Sequence, residues 1–218
     1  VTFISCHANG RAAQRNEATA YINGGTFKTV FVGSASDNYG PGCLNNSGTA
    51  VITAGTFESV NKRTYAVIST GTITITPAEG KEVIVSGAHG GLAVDSGVAV
   101  VNGGSFSSTE YYGLYVSNDG QGEDPMQAAV TVNGGTFTGA NYSVWIGSDY
   151  NNPVNSTIAI HNGIFMKPLN AQSNTREGAV QVYGGTFYQE VPPEYCAEGF
   201  KPQKNADGTW GVVKKKEA

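Results

Sequence analysis

Two segments of the chain carry aromatic and acidic residues at matching positions. Tyr112-Gly-Leu-Tyr-Val-Ser-Asn-Asp119 and Tyr142-Ser-Val-Trp-Ile-Gly-Ser-Asp149 align without a gap at a spacing of 30 residues. Aromatic rings beside carboxylates combine a flat apolar face with hydrogen-bond acceptors, which is the chemistry that contacts a sugar ring. This pattern gives the candidate ligand-binding residues Tyr112, Tyr115, Asp119, Tyr142, Trp145 and Asp149.

A strand in each segment would position these residues. In an extended strand successive side chains point to opposite faces, so inward-facing Leu114 and Val116 turn Tyr115 outward. The same alternation turns Trp145 outward on the neighbouring strand. An alternative is that the rings pack under loop 118–128 or 148–156 and that the two acids end their strands in Asx turns.

The acidic residues near these strands raise the question of calcium. Asp119, Glu123, Asp124 and Asp149 offer the hard oxygen ligands that Ca²⁺ prefers. No segment matches an EF-hand loop or a Gly-Gly-x-Gly-x-Asp nonapeptide. We therefore predict no cofactor and no metal-ligand residues, with calcium as the alternative.

Repeated phrases indicate how such strands are arranged. One eight-residue phrase occurs six times, ending in an aromatic residue and carrying Gly two residues before it. The copies are Ala20–Phe27, Ala50–Phe57, Ala99–Phe106, Val130–Phe137, Ile158–Phe165 and Val180–Phe187. The intervals between the terminal Phe residues fit a period of about 22 to 31 residues if the longest interval holds an extra turn around Val83–Gly87, a length typical of repeat architectures.

Within each phrase the residues alternate and then bend. Small or β-branched apolar residues stand seven and five positions before the Phe, as in Val130 and Val132, and the residue between them varies. Gly permits the bend that follows. Two or three short strands per repeat with no helical period predict a solenoid whose coils stack at strand spacing, in preference to an immunoglobulin-like sandwich.

The Asn-Gly-Gly-Thr-Phe phrases over residues 20–187 resemble those of right-handed parallel β-helix repeat proteins, the pectate-lyase-like superfold. They resemble specifically the secreted or surface-anchored repeat proteins of gut-type bacteria. The tail, with Pro192-Pro193 and Asp207-Gly208, resembles the terminal unit that closes such arrays. The resemblance implies an all-β, right-handed parallel β-helix over residues 1–187 and a C-terminal capping segment with a basic tail over 188–218.

Enzymes of this superfold cleave polysaccharides, and its hydrolases use clustered Asp residues with Gly-His-Gly and Arg-x-Lys motifs. The nearest phrases here are Ala88-His89-Gly-Gly91 and Lys62-Arg63, and an Asp-Asp pair is missing. Acid, base and anchoring roles cannot all be assigned, so no catalytic residue is predicted and His89 is interpreted as a turn residue.

The charge and the apolar content of the sequence limit the classes of partner that the chain is expected to bind. The net charge is −4 and the basic run Lys214-Lys215-Lys216 stands at the C-terminal end of the sequence, which predicts no nucleic-acid partner. No stretch is long and apolar enough for a membrane span. Three Cys residues predict buried free thiols, with a Cys6–Cys43 bridge as the alternative.

These observations predict a non-catalytic module, extracellular or on the cell surface, that binds a glycan or another host or cell-surface polymer. A polysaccharide hydrolase or lyase is one alternative, and a structural stalk of a larger surface protein is another. Because function belongs to sites rather than to folds, the repeats alone do not choose between them.

Overall fold

The computed structural model describes residues 2–6, 14–30, 42–60, 64–119, 126–148 and 154–216, with the backbone alone for Thr2–Cys6 and Asp119. These residues form strands and a short 3₁₀ helix at Pro193–Tyr195. The strands are β1 (Thr2–Cys6), β2 (Gln14–Asn16), β3 (Thr19–Val30), β4 (Leu44–Asn46), β5 (Thr49–Ser59), β6 (Tyr65–Ser69), β7 (Thr72–Ile75), β8 (Val83–Gly87), β9 (Gly90–Val94), β10 (Gly97–Val101), β11 (Ser105–Ser108), β12 (Tyr112–Val116), β13 (Asn118–Asp119), β14 (Met126–Val132), β15 (Thr136–Thr138), β16 (Tyr142–Ile146), β17 (Thr157–Ile160), β18 (Ile164–Phe165), β19 (Leu169–Ala171), β20 (Val180–Val182), β21 (Thr186–Phe187), β22 (Phe200–Lys204) and β23 (Trp210–Lys214).

Most of the strands belong to three parallel stacks, which the chain visits in turn. The first stack holds the start of β3 and of β5, then β7, β10, β14, β17 and β20. The second holds β1, the later parts of β3 and β5, then β8, β11, β15, β18 and β21. The third holds β2, β4, β6, β9, β12, β16 and β19. The fold is thus all-β and solenoid-like, as the repeats predict.

The repeated phrases stack on one another in register. Phe106 pairs with Phe137, and Phe137 pairs in turn with Phe165. Val85 pairs with both Phe57 and Phe106. The long interval between those two phenylalanines therefore contains an extra coil that lacks the Phe, as predicted around Val83–Gly87.

The glycine before each Phe lies where the chain turns from the first stack to the second. Gly104 and Gly135 both have φ +105°, in the region that favours glycine. A Cβ on Gly135 would also lie 3.0 Å from the carbonyl oxygen of Gly104 on the preceding coil. Both the bend and the close approach of two backbones favour Gly at this position.

Buried amides stabilise the turn from the third stack to the first. Asn16 Nδ2 donates to Asn46 Oδ1 at 2.8 Å, and Asn46 Nδ2 donates to Ser69 Oγ at 3.0 Å. All three residues are buried. The bonds satisfy polar groups that would otherwise destabilise the interior.

The C-terminal residues change the strand direction. β22 and β23 form an antiparallel hairpin, and β23 pairs antiparallel with β21 at Phe187 and Trp210. Ala171, in the last strand of the third stack, donates its backbone N–H to the Tyr195 hydroxyl at 3.0 Å. Segments of the tail thus cover the last coil at both the second and the third stacks, which limits exposed strand edges.

The prediction of buried free thiols is confirmed for Cys43 alone, because Cys196 is free but half-buried. Cys43 and Cys196 are free, so the Cys6–Cys43 bridge is not formed. Cys43 is buried and donates its Sγ–H to the Glu58 carbonyl oxygen at 2.8 Å. Burial raises the pKa of the Cys43 thiol, which keeps it protonated and unreactive. Within the described ranges, the structure contains no helix with the length and apolar character needed to cross a membrane.

Candidate functional site

The two aromatic segments lie on adjacent strands of the third stack. Tyr112 pairs with Tyr142 and Tyr115 pairs with Trp145, so the gap-free alignment of the segments is confirmed as structural register. Strands in a sheet are about 4.8 Å apart, which brings the rings of successive coils into contact.

Further rings join these four on the outer side of the third stack. We call the whole group the aromatic cluster: Tyr65, His89, Tyr111, Tyr112, Tyr115, Tyr142 and Trp145. Tyr112 is central, with its ring centroid 5.4 Å from that of Tyr115 and 5.6 Å from that of Trp145. The centroids of Tyr142 and Trp145 are 5.0 Å apart.

A missing side chain lets the cluster extend over four coils. Gly90 of β9 pairs with both Tyr65 of β6 and Tyr112 of β12. A Cβ on Gly90 would overlap the Tyr65 ring, which therefore lies across the position that a side chain would fill. Tyr65 also stacks on Tyr115 at 5.4 Å between ring centroids, with the rings 12° from parallel.

Tyr115 differs from the prediction of an exposed ring. Only 4% of the residue is accessible to solvent, although Leu114 and Val116 face the interior as predicted. The outward direction of Tyr115 does not expose it, because Tyr65 and Tyr112 stack against it. The expectation of an exposed platform is wrong at this residue, which is instead the buried base of the cluster.

The accessible part of the cluster lies around Tyr115. Tyr111 is 38% exposed, and Tyr112, Tyr142 and Trp145 are half-buried. Trp145 is tilted 50° from Tyr142, and Tyr111 is tilted 38° from Tyr112. Tilted rings leave part of their faces uncovered, and an uncovered face is what an apolar side of a sugar ring contacts.

Sequence reasoning missed His89, Tyr65 and Tyr111 as members of the site. His89 lies in a bend, as predicted, but its ring centroid is 4.5 Å from that of Tyr111 and 5.0 Å from that of Tyr65. The signal was present in the strand Gly90–Val94: aligned with Tyr112–Val116 it lacks an aromatic residue. That gap predicts room for a ring from the coil before it.

The acidic candidates are placed only in part. Asp119 ends β13, which pairs antiparallel with the start of β14, and the structure describes its backbone alone. Asp149, Glu123 and Asp124 lie outside the described residues. In the described part of the chain no three His, Cys, Asp or Glu side chains form a group that could hold a metal ion. The roles of Asp119 and Asp149 as acceptors or calcium ligands stay predictions.

No protein-family model matches the chain, and searches of curated proteins and of solved structures return no match. The chain is a solenoid-like β protein that presents a tilted aromatic cluster on the outer side of its third stack.

Proposed function

We propose that this chain is a non-catalytic carbohydrate-binding or adhesion module with the fold of a right-handed parallel β-helix, secreted or displayed on a cell surface. The observation that carries the proposal is the aromatic cluster, in which Tyr111, Tyr142 and Trp145 remain partly accessible around a buried base. The right hand is supported by the chirality rule for parallel strands, whose crossover connections are right-handed in about 98% of cases. The secreted or surface location rests on the resemblance of the repeated phrases.

The cluster suits a sugar for two physical reasons. Its rings are already held by one another and by β-sheet register, so little side-chain entropy is lost when a ligand binds. Tyr hydroxyls and the Trp145 indole N–H add hydrogen-bonding groups at the edges of apolar faces. Single contacts of this kind are weak, and a rigid repeat array allows several to act on one polymer chain.

The test is a binding panel of soluble plant and host glycans, measured by calorimetry together with an assay for cleavage products. We expect saturable binding without new reducing ends, and loss of that binding in Trp145→Ala. Tyr188→Ala is the matched control, because Tyr188 is an exposed aromatic residue at the far end of the second stack.

Two outcomes would overturn the proposal. New reducing ends or unsaturated uronates would favour the hydrolase or lyase. Neither binding nor cleavage across the panel would favour the structural stalk.

A further inference from the structure

A row of polar side chains lies on a different surface, at the outer edge of the first stack. We call it the amide column: Thr76, Asn102, Asn133, His161 and Tyr183, one residue from each of five successive coils. Each directly follows the strand of the first stack on its coil. Thr76, Asn102, Asn133 and His161 are exposed and Tyr183 is half-buried.

The side chains of the amide column hold one another in place. Asn133 Nδ2 donates to Asn102 Oδ1 at 2.8 Å, and Asn102 Nδ2 donates to Thr76 Oγ1 at 2.8 Å. Further along, the rings of His161 and Tyr183 stack at 4.7 Å and 14°. An amide nitrogen has two N–H donors, so one donor on each Asn is left to meet a ligand in a fixed direction.

A row of methyl-bearing residues runs beside the amide column. We call it the methyl column: Thr74, Val100, Thr131 and Ala159, which pair in register in the first stack. All four are half-buried. A depression of about 240 Å³ lies on this face, lined in part by Thr131 and Ala159 and bordered by Arg176.

Neither column contains Lys, Arg, Asp or Glu, although 30 of the 218 residues are of these types (13 Lys and Arg, 17 Asp and Glu). The second stack differs, because its outer side carries the Lys28–Glu58 ion pair at 3.0 Å. An uncharged surface offers nothing to compensate the desolvation of a charged polymer, so it favours a neutral partner.

We propose that the amide and methyl columns together bind an uncharged, extended glycan that runs along the stacking direction of the coils. Sugar hydroxyls would meet the fixed amides, and the C–H side of the sugar would lie on the methyl column. The columns repeat at about 4.8 Å, so an extended chain along the coils would meet one residue of the amide column on each coil and, on four of the five coils, one residue of the methyl column. This inference rests on the proposed carbohydrate-binding function but uses a surface separate from the aromatic cluster.

Calorimetry with neutral cellohexaose, xylohexaose and chitohexaose, and with acidic hexagalacturonate, tests the proposal. We expect one of the neutral hexasaccharides to bind, hexagalacturonate not to bind, and Asn102→Ala/Asn133→Ala to weaken the neutral binding at least about tenfold. Thr131→Glu should do the same, because it places a charge in the methyl column. Thr138→Glu is the matched control, since Thr138 is a half-buried residue of the second stack. Unchanged melting temperatures show that the variants fold.

The outcomes separate this inference from the proposed function. If Trp145→Ala weakens neutral binding and Asn102→Ala/Asn133→Ala does not, the columns are not a binding surface and the aromatic cluster alone accounts for it. If only the column variants weaken binding, the aromatic cluster is not the site and the columns are. Binding of hexagalacturonate that is lost in Arg176→Ala overturns the proposal of a neutral ligand. No binding of any of the four probes overturns this inference, and the wider panel of plant and host glycans then decides the proposed function.

Discussion

Two rows of aromatic rings run along the coils, one inside the molecule and one outside. The inner row comprises Phe27, Phe57, Phe106, Phe137, Phe165 and Phe187, and its neighbouring rings stack at centroid distances of 4.7 to 5.1 Å and within 6 to 10° of parallel. Ring pairs of the outer row, the aromatic cluster, lie 4.5 to 6.3 Å apart with angles from 12° to 81°.

The two rows differ in ring geometry because different residues occupy matching positions on successive coils. The inner row places the same side chain at the same position of each phrase, so every ring repeats the geometry of the one before it, apart from the coil with Val85. The outer row contains Tyr, Trp and His, with Gly90 at one position. Its rings therefore pack against one another at different interplanar angles. A uniform row buries its ring faces for stability, whereas an irregular row leaves faces open to a ligand.

Truncation inside the inner row should have the largest effect on stability. Phe137 is fully buried and stacks on Phe106 and Phe165. We expect Phe137→Ala to lower the free energy of unfolding by about 3 to 5 kcal/mol, as for large aromatic residues in other cores. Chemical denaturation measures this loss. The control is Ile164→Ala, whose side chain is 43% exposed on the outer side of the second stack, on the next coil; an equal loss in the two variants would contradict the interior position of the Phe row.

The outer row should respond unevenly to the same change. Tyr115 is buried as the base of the cluster, so Tyr115→Ala should lower the free energy of unfolding by about 3 kcal/mol. Trp145 is half-buried, and we expect Trp145→Ala to cost about 1 kcal/mol while it removes glycan binding. Chemical denaturation measures the stability of both variants, and calorimetry measures their glycan binding. A larger stability loss in Trp145→Ala than in Tyr115→Ala would contradict the assignment of Tyr115 as the buried base of the cluster.

The gap at Gly90 gives a smaller and more specific test. Gly90→Ala adds a Cβ against the Tyr65 ring and should lower the free energy of unfolding by about 1 to 3 kcal/mol. In the background of Tyr65→Ala the same change should cost much less, because the ring that it displaces is gone. A double-mutant cycle measures this coupling. Equal costs in the two backgrounds would mean that Tyr65 does not occupy the gap.

A lower pH should have the smallest effect on stability. It acts through a carboxyl group that lies outside both aromatic rows. Thr209 donates side-chain and backbone hydrogen bonds to Asp207, which lower the pKa of this carboxyl group below its usual 3.8. A lowered folded-state pKa gives stability that is present above the unfolded pKa and is lost as the pH falls through the folded one. We expect the melting temperature of Asp207→Ala to be slightly lower than that of the wild type at pH 6, with the difference shrinking below pH 4. A difference that grows in acid would contradict the assigned direction.

The inner row and the register could be read from the sequence, because the phrase repeats the same residue at the same position. Phe137 follows Gly135 at the same distance as in the other five copies, which fixes both the bend and the buried ring. The pairing of Tyr115 with Trp145 followed from the same kind of alignment. These are local, repeated signals.

The burial of Tyr115 and the membership of Tyr65 and His89 could not be read in this way. Alternation along a strand predicts the direction of a side chain, but its exposure depends on what neighbouring coils place over it. Tyr65 reaches Tyr115 across the intervening coil only because Gly90 lacks a side chain. Such a contact depends on which residues occupy matching positions on three successive coils. The alignment of two segments compares two coils and therefore does not predict it.

The most direct test of the aromatic cluster uses its own fluorescence. The chain has two Trp residues, so Trp210→Phe leaves Trp145 as the single indole reporter. We predict that titration with a glycan that binds in the calorimetric panel changes the emission of Trp145 saturably, with the same dissociation constant as calorimetry gives. Saturable binding in calorimetry with unchanged Trp145 emission would place the ligand elsewhere and contradict the assignment of the aromatic cluster as the binding site.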